Sequence, residues 1–134
     1  MLWIALGLSL VALALDRGPA WYFDPRPTNP PGHIIVYSTR WCPACARLRR
    51  CLEGNRVPFE ERDVEASTRA NSEWEALDGY GVPLTVVGQR LAYGMREREL
   101  RPALAEAGFT VDCWSAGAPG SALPSSAEPT PKRR

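Results

Sequence analysis

The sequence predicts an α/β fold: one mixed four-stranded sheet flanked by helices, with elements in the order β-α-β-α-β-β-α. Two observations carry this. A β-branched run, a helical pattern and a second strand pattern follow one another between residues 33 and 64. Two short strand patterns then flank a two-residue turn at Gly88-Gln89. A strand–helix–strand start followed by a hairpin implies one mixed sheet with helices packed on it.

Each element has its own signal. His33-Ile34-Ile35-Val36-Tyr37-Ser38 is apolar and β-branched, as a buried strand should be. Residues 43–53 read as a helix, with Pro43 suited to its first turn and Gly54-Asn55 to its stop. A second strand is expected around residues 59–62. Ala70, Trp74 and Leu77 at i, i+4, i+7 mark a second helix, ended by Gly79 and Gly81. Residues 84–87 and 90–93 read as the hairpin strands, and Gly88 suits the first turn position. Leu100, Ala103, Leu104 and Ala107 give a last helix closing at Gly108. Pro102 is expected to mark where that helix becomes regular, because proline removes a backbone donor.

With 134 residues there is room for one domain of ordinary size. The net charge of +1 provides no field that would gather nucleic acid, so nucleic acid is not an expected partner. The dense basic run Arg47-Leu48-Arg49-Arg50 reads first as a solvated helix face and second as a phosphate-binding patch. Residues 2–15 are apolar apart from Gly7 and Ser9. That is short for a membrane span, which needs about 20 residues, and suits a signal-peptide core. Ala12-Leu13-Ala14 has a small-x-small cleavage pattern, although no Lys or Arg precedes the run. Residues 1–15 are expected to be a signal peptide or membrane anchor. Residues 16–32 are Pro-rich and read as a linker, residues 33–111 as the folded domain, and residues 112–134 as a disordered tail.

Four cysteines and one histidine are too few for a disulfide scaffold. Structural zinc usually takes its four ligands as two close pairs, whereas here only Cys42 and Cys45 are close, so a redox pair fits better than a metal site. Disulfide exchange needs a stabilised, accessible thiolate and a second thiol that resolves the mixed disulfide. Cys42 falls just before the helix, where unpaired N–H groups and the helix dipole stabilise negative charge. Arg40 adds a positive charge nearby, Pro43 stiffens the loop, and Cys45 lies one helical turn on. Cys51 lies about 900° and about 13 Å further along that helix, so it faces away from Cys42. It shares an apolar stripe with Ala44, Leu48 and Leu52 and is expected as core. Cys113 is open between a spare thiol, an interchain partner and no role. Gly81-Val82-Pro83 opens the third strand, as a simple strand starter or as a backbone edge for pairing with an extended substrate.

The run Tyr37-Ser38-Thr39-Arg40-Trp41-Cys42-Pro43-Ala44-Cys45, then Gly81-Val82-Pro83, then a hairpin ending at Gly94, resembles the glutaredoxins over residues 33–108. The resemblance implies a thioredoxin-like fold, Cys42 as nucleophile, Cys45 as resolving thiol and a cis Val82–Pro83 bond. It also implies substrate or glutathione contacts from Arg40, Trp41, Pro43, Val82, Pro83 and Gly94. The chain departs from the family at Thr39, where Lys or Arg is usual, and at Ala44, where an aromatic is common. Trp41 is more like thioredoxin. Met95-Arg96-Glu97 follows a single Gly94, where many glutathione-binding members carry two glycines followed by acidic residues.

The expected activity is therefore dithiol–disulfide exchange on protein or glutathione mixed disulfides. It needs no bound cofactor, and glutathione is a candidate co-substrate. Expected partners are a disulfide-containing protein, a reductase, and a membrane met through the N-terminal segment. The expected location is the bacterial inner membrane or periplasm. A thiol-based metal-binding module and a non-catalytic thioredoxin-like interaction domain are the alternatives.

Overall fold

The computed structural model describes residues 22–119. The apolar run at 1–15 and the end of the expected tail lie outside the described residues. Among those described, no helix is long and apolar enough to cross a membrane.

The fold is the thioredoxin-like α/β architecture expected from the sequence. A four-stranded sheet is built from β1 (Ile34–Ser38), β2 (Glu60–Asp63), β3 (Leu84–Val87) and β4 (Arg90–Tyr93), in spatial order β2-β1-β3-β4. β1 runs parallel to β2, with Ile35 opposite Glu60, and antiparallel to β3, with Ile35 opposite Val86. β3 and β4 form the expected hairpin, and Gly88 adopts the positive φ of 56° that a two-residue turn needs. Three helices cover the sheet: α1 (Pro43–Gly54), α2 (Thr68–Ala76) and α3 (Glu97–Glu106).

The period of two along β1 divides the core. Ile34 and Val36 join Leu48, Cys51 and Leu52 of α1 and Leu100 and Leu104 of α3. Ile35 and Tyr37 point to the opposite face and meet Ala70 of α2, with Leu77, Leu84 and Val86. Every residue of β1 is buried, which explains its continuous apolar run. Beneath α2 lies one buried charge cluster. Glu73, only 3% exposed, accepts hydrogen bonds from Tyr37 Oη at 3.0 Å, from Arg69 Nε at 2.9 Å and from Arg62 Nη1. Three donors make a buried carboxylate tolerable there.

Three expectations need correction. Pro102 does not begin the regular part of α3: the helix starts at Glu97 and carries Pro102 inside it. The ring sits on the exposed side, where water can serve the Arg98 carbonyl that loses its partner. The packed chain also continues past Val111. Cys113 is fully buried, and Trp114 packs on the main core cluster and donates from Nε1 to the Met95 carbonyl at 2.9 Å. Cys113 is therefore neither a spare nor an interchain thiol; it is disulfide-bonded to Cys51, with Cα atoms 5.4 Å apart. Cys51 is core, as its apolar stripe implies, and it is also the anchor of the segment that follows α3.

The expected linker is also tied down at its end. Residues 26–28 form a 3₁₀ turn, and buried Asn29 donates from Nδ2 to the carbonyls of Gly88 at 2.7 Å and His33 at 3.1 Å. The side chain thereby fastens the segment to the β3–β4 turn.

Candidate functional site

The site forms where β1 ends and α1 begins. β1 ends at Ser38, at the C-terminal end of a central strand, and the turn through Thr39, Arg40 and Trp41 places Cys42 at the N-cap of α1. Pro43 occupies the first helical position, where its missing N–H would have had no helical partner anyway. The Cys45 N–H donates to Cys42 Sγ at 3.1 Å, so the sulfur takes the capping place that a serine or aspartate oxygen often fills. This hydrogen bond, added to the positive end of the helix dipole, favours a thiolate at Cys42. Cys42 and Cys45 are joined as a disulfide with Cα atoms 5.2 Å apart. Cys42 retains 7% exposure and Cys45 only 1%, which suits an attacking sulfur and a shielded resolving one.

The second part of the site arrives from the start of β3. Val82–Pro83 is a cis peptide, as the resemblance implies. The Val82 carbonyl oxygen lies 3.7 Å from Cys42 Sγ. Its neighbours in the loop are fixed: Trp74 Nε1 donates to the Gly81 carbonyl at 3.2 Å, and the Gly94 N–H donates to the Pro83 carbonyl at 2.8 Å. The Val82 N–H makes no hydrogen bond among the described residues. A half-exposed backbone edge thus stands beside the redox sulfur.

Among the other expected contacts, Gly94 lines the site with a φ of 63°, in the left-handed region that glycine enters most readily. Trp41 is 70% exposed beside Cys42, and its Nε1 donates to the Glu65 carboxylate at 3.0 Å. Arg40 is turned out to solvent with its Nε 3.6 Å from Asp63 Oδ2, so its charge is shared with that carboxylate. Thr39 is buried, and its hydroxyl has no hydrogen-bond partner among the described residues.

Sequence reasoning missed one component. Tyr80 stacks on Tyr93, ring centroids 4.6 Å apart, and the two join Pro83, Gly94, Met95 and Arg96 around a groove of about 280 Å³ beside Val82. Tyr80 lies in a loop without periodicity, and its aromatic character beside Gly81-Val82-Pro83 was the only signal available. Glu99 orders the far wall: one carboxylate oxygen accepts from the Tyr93 N–H at 2.8 Å and the other from Arg96 Nη1 at 3.0 Å. Burial raises the Tyr93 hydroxyl above its ordinary range, with the nearby Tyr80 adding to the shift.

Comparison with known proteins agrees with this geometry. Residues 34–92 match the glutaredoxin family model. A glutaredoxin candidate of Mycobacterium tuberculosis is 38% identical over 37 residues, which is 28% of this chain and 44% of that protein. The chain thus spans less than half the length of the curated relatives it matches. The crystal structure of a point mutant of the thioredoxin-like protein BC3987 aligns with a TM-score of 0.51 at 28% identity, over 55% of this chain and 95% of that one. A buckwheat glutaredoxin–glutathione complex aligns with a TM-score of 0.47 at 20% identity, over 62% of this chain and 83% of that one.

Proposed function

We propose that this chain, which carries a glutaredoxin domain at residues 34–92, is a dithiol thiol–disulfide oxidoreductase acting through Cys42 and Cys45. The observation that carries the reading is the position of Cys42 Sγ, which accepts the Cys45 N–H at 3.1 Å beside the half-exposed Val82 backbone.

In the reduced enzyme the Cys42 thiolate attacks one sulfur of a substrate disulfide. A Cys42–substrate bond forms, the substrate S–S bond breaks, and the leaving sulfur departs with the electron pair and takes a proton. Cys45, one helical turn away, then attacks Cys42 Sγ and expels the second substrate sulfur. Two electrons have passed to the substrate, leaving the Cys42–Cys45 disulfide. Two thiols from an external reductant restore the dithiol, and glutathione is our candidate for that role. The Val82 edge holds the substrate backbone in line during attack.

We further propose that the chain works outside the cytosol, anchored or exported through its apolar run at residues 2–15. The buried Cys51–Cys113 disulfide supports this, because stable structural disulfides belong to oxidising compartments.

The test is division of labour between the two thiols. Cys42→Ser should abolish exchange. Cys45→Ser should accumulate a mixed disulfide on Cys42, identified by mass spectrometry of the trapped adduct. Trapping on Cys45 in the Cys42→Ser variant would reverse the assignment.

A further inference from the structure

We propose that the groove beside Val82 is a specificity subsite for an extended protein segment, one that presents an apolar or aromatic side chain next to a carboxylate. The proposal rests on the redox reading of Cys42 and names the substrate class of that site.

The first observation is where the exposed aromatics lie. Among the described residues, the exposed large hydrophobics are Tyr22, Trp41 and Tyr80, and two of these flank the redox pair. Trp41 adjoins Cys42 in sequence, and Tyr80 borders the groove that continues from Val82. Exposed aromatic surface of this kind marks a place where another molecule is bound. Tyr80 is held by its stack on Tyr93, and Tyr93 in turn donates from Oη to the Leu77 carbonyl at 3.2 Å. The wall is therefore set before a ligand arrives, which lowers the ordering cost of binding.

The second observation is size and shape. About 280 Å³ accommodates one large side chain, with Pro83 and Met95 offering apolar surface and the Tyr80 and Tyr93 rings supplying the rest. A segment pairing with the Val82 backbone would run in extended form, and alternate side chains would point the same way. One side chain can enter the groove while its neighbours stay at the rim.

The third observation is charge. Arg96 lines the groove, and among the described residues no carboxylate does. Arg96 is paired with Glu99 but remains 59% exposed. Glu99 is itself fixed by the Tyr93 N–H, so it holds the guanidinium in place as well as sharing its charge. A guanidinium has five N–H donors, and the bonds to Glu99 and Tyr80 leave others for an incoming carboxylate. Glutamate or aspartate beside the apolar residue is the complementary partner, and lysine is the repelled one.

The experiment uses the full-length chain and cysteine peptides capped as mixed disulfides with 2-mercaptoethanol. Three peptides carry Phe-Glu, Phe-Lys or Ala-Glu beside the cysteine, each in both sequence orders. In one order, kcat/KM for Phe-Glu should exceed that for Phe-Lys by about 3- to 10-fold, carried mainly in KM and shrinking as salt is raised. Arg96→Glu should invert the ratio, and Arg96→Gln should bring it near one. Tyr80→Ala should erase the advantage of Phe-Glu over Ala-Glu. Each ratio is taken within one variant, so a loss of folded protein cancels. Equal rates for Glu and Lys peptides, or a preference that survives Arg96→Glu, would overturn the subsite. Turnover of bis(2-hydroxyethyl) disulfide by the unmodified chain reports on the redox reading separately. If that fails along with every peptide, the redox reading falls and takes this inference with it.

Discussion

Cys51 of α1 and Cys113, 62 residues further along the chain, are bonded to each other in the core, both fully buried. Their link ties the helix that carries the redox pair to the segment after α3. The next residue, Trp114, donates from its indole to the Met95 carbonyl, in the loop that walls the groove beside Val82. Arg101 of α3 lies over the same indole, 5.4 Å from its centroid. The two halves of the site, the α1 N-terminus and the Gly94–Arg96 loop, are thus braced by one strap.

The first prediction concerns that strap. A cross-link closing a loop of this length restricts the unfolded chain by about 4 kcal/mol in the chain-entropy account, for the 62-residue separation. Cys51→Ala with Cys113→Ala should therefore lose about that much stability in a guanidinium titration, while leaving Cys42 and Cys45 in place. Alanine is preferred to serine because a buried hydroxyl would add its own cost. A loss below about 1 kcal/mol would contradict the chain-entropy account of this cross-link.

Much of the fold was legible because its signals are local. β1 is a continuous buried run, the hairpin has its glycine at the turn, and Cys42-Pro43-Ala44-Cys45 sits where a strand passes into a helix. What could not be read depends on distant parts of the chain. No spacing rule tells Cys113 that α1 lies beside it. The first turn of α3, Glu97-Arg98-Glu99, has no apolar periodicity to announce it. Its acidic residues suit a helix N-terminus, but Pro102 masked that signal. Arg40 shows the same limit. Its charge was evident, whereas its turn toward Asp63 depends on the arrival of β2.

The second prediction follows from the buried carboxylate of Glu73. Burial alone would raise its pKa, but the bonds from Arg69, Arg62 and Tyr37 outweigh this and hold it below the ordinary carboxylate range. A group depressed in this way stabilises the fold above its unfolded pKa of about 4.3, and the contribution is lost as pH falls through the folded value. Glu73→Gln should therefore destabilise the domain by about 2 kcal/mol at pH 7, since it removes the charged acceptor shared by Arg62, Arg69 and Tyr37, although Arg62 keeps Glu60 and Arg69 is largely exposed. The gap between the two proteins should narrow below about pH 4 as the carboxyl protonates. A gap independent of pH, in urea titrations run from pH 3 to 7, would contradict the charge argument.

A third prediction concerns Thr85 in β3, which is fully buried and whose hydroxyl finds no partner among the described residues. It lies opposite Val36 and Ala92, on strands whose neighbouring side chains are apolar. Valine has nearly the same shape without the unpaired hydroxyl. Thr85→Val should raise stability by about 1 kcal/mol. A decrease would mean that the hydroxyl is satisfied in solution by a buried water.

The last prediction concerns glutathione as reductant. Its two carboxylates and one ammonium need opposite charges at the two ends of the site, while its backbone can pair with Val82 whatever that residue's side chain. At the groove end, Arg96 would repel an ammonium, and Glu99 is occupied by the Tyr93 N–H and by Arg96 itself. At the other end, Arg40 is solvent-exposed and drawn to Asp63, so it offers a shared rather than a full charge. Losing one good charged contact typically costs about 1.5–3 kcal/mol, or about one to two decades of affinity. Glutathione should therefore reduce the Cys42–Cys45 disulfide without approaching saturation at low millimolar concentration. Met95→Asp, which adds an anion to the groove wall, should lower the half-saturating concentration several-fold. Arg40→Ala should raise it by about 2-fold, the effect of a weak exposed charge. Steady-state kinetics with glutathione as the varied substrate read all three outcomes. Tight saturation in the unmodified chain, unmoved by Met95→Asp, would mean that the ammonium is received somewhere other than this groove.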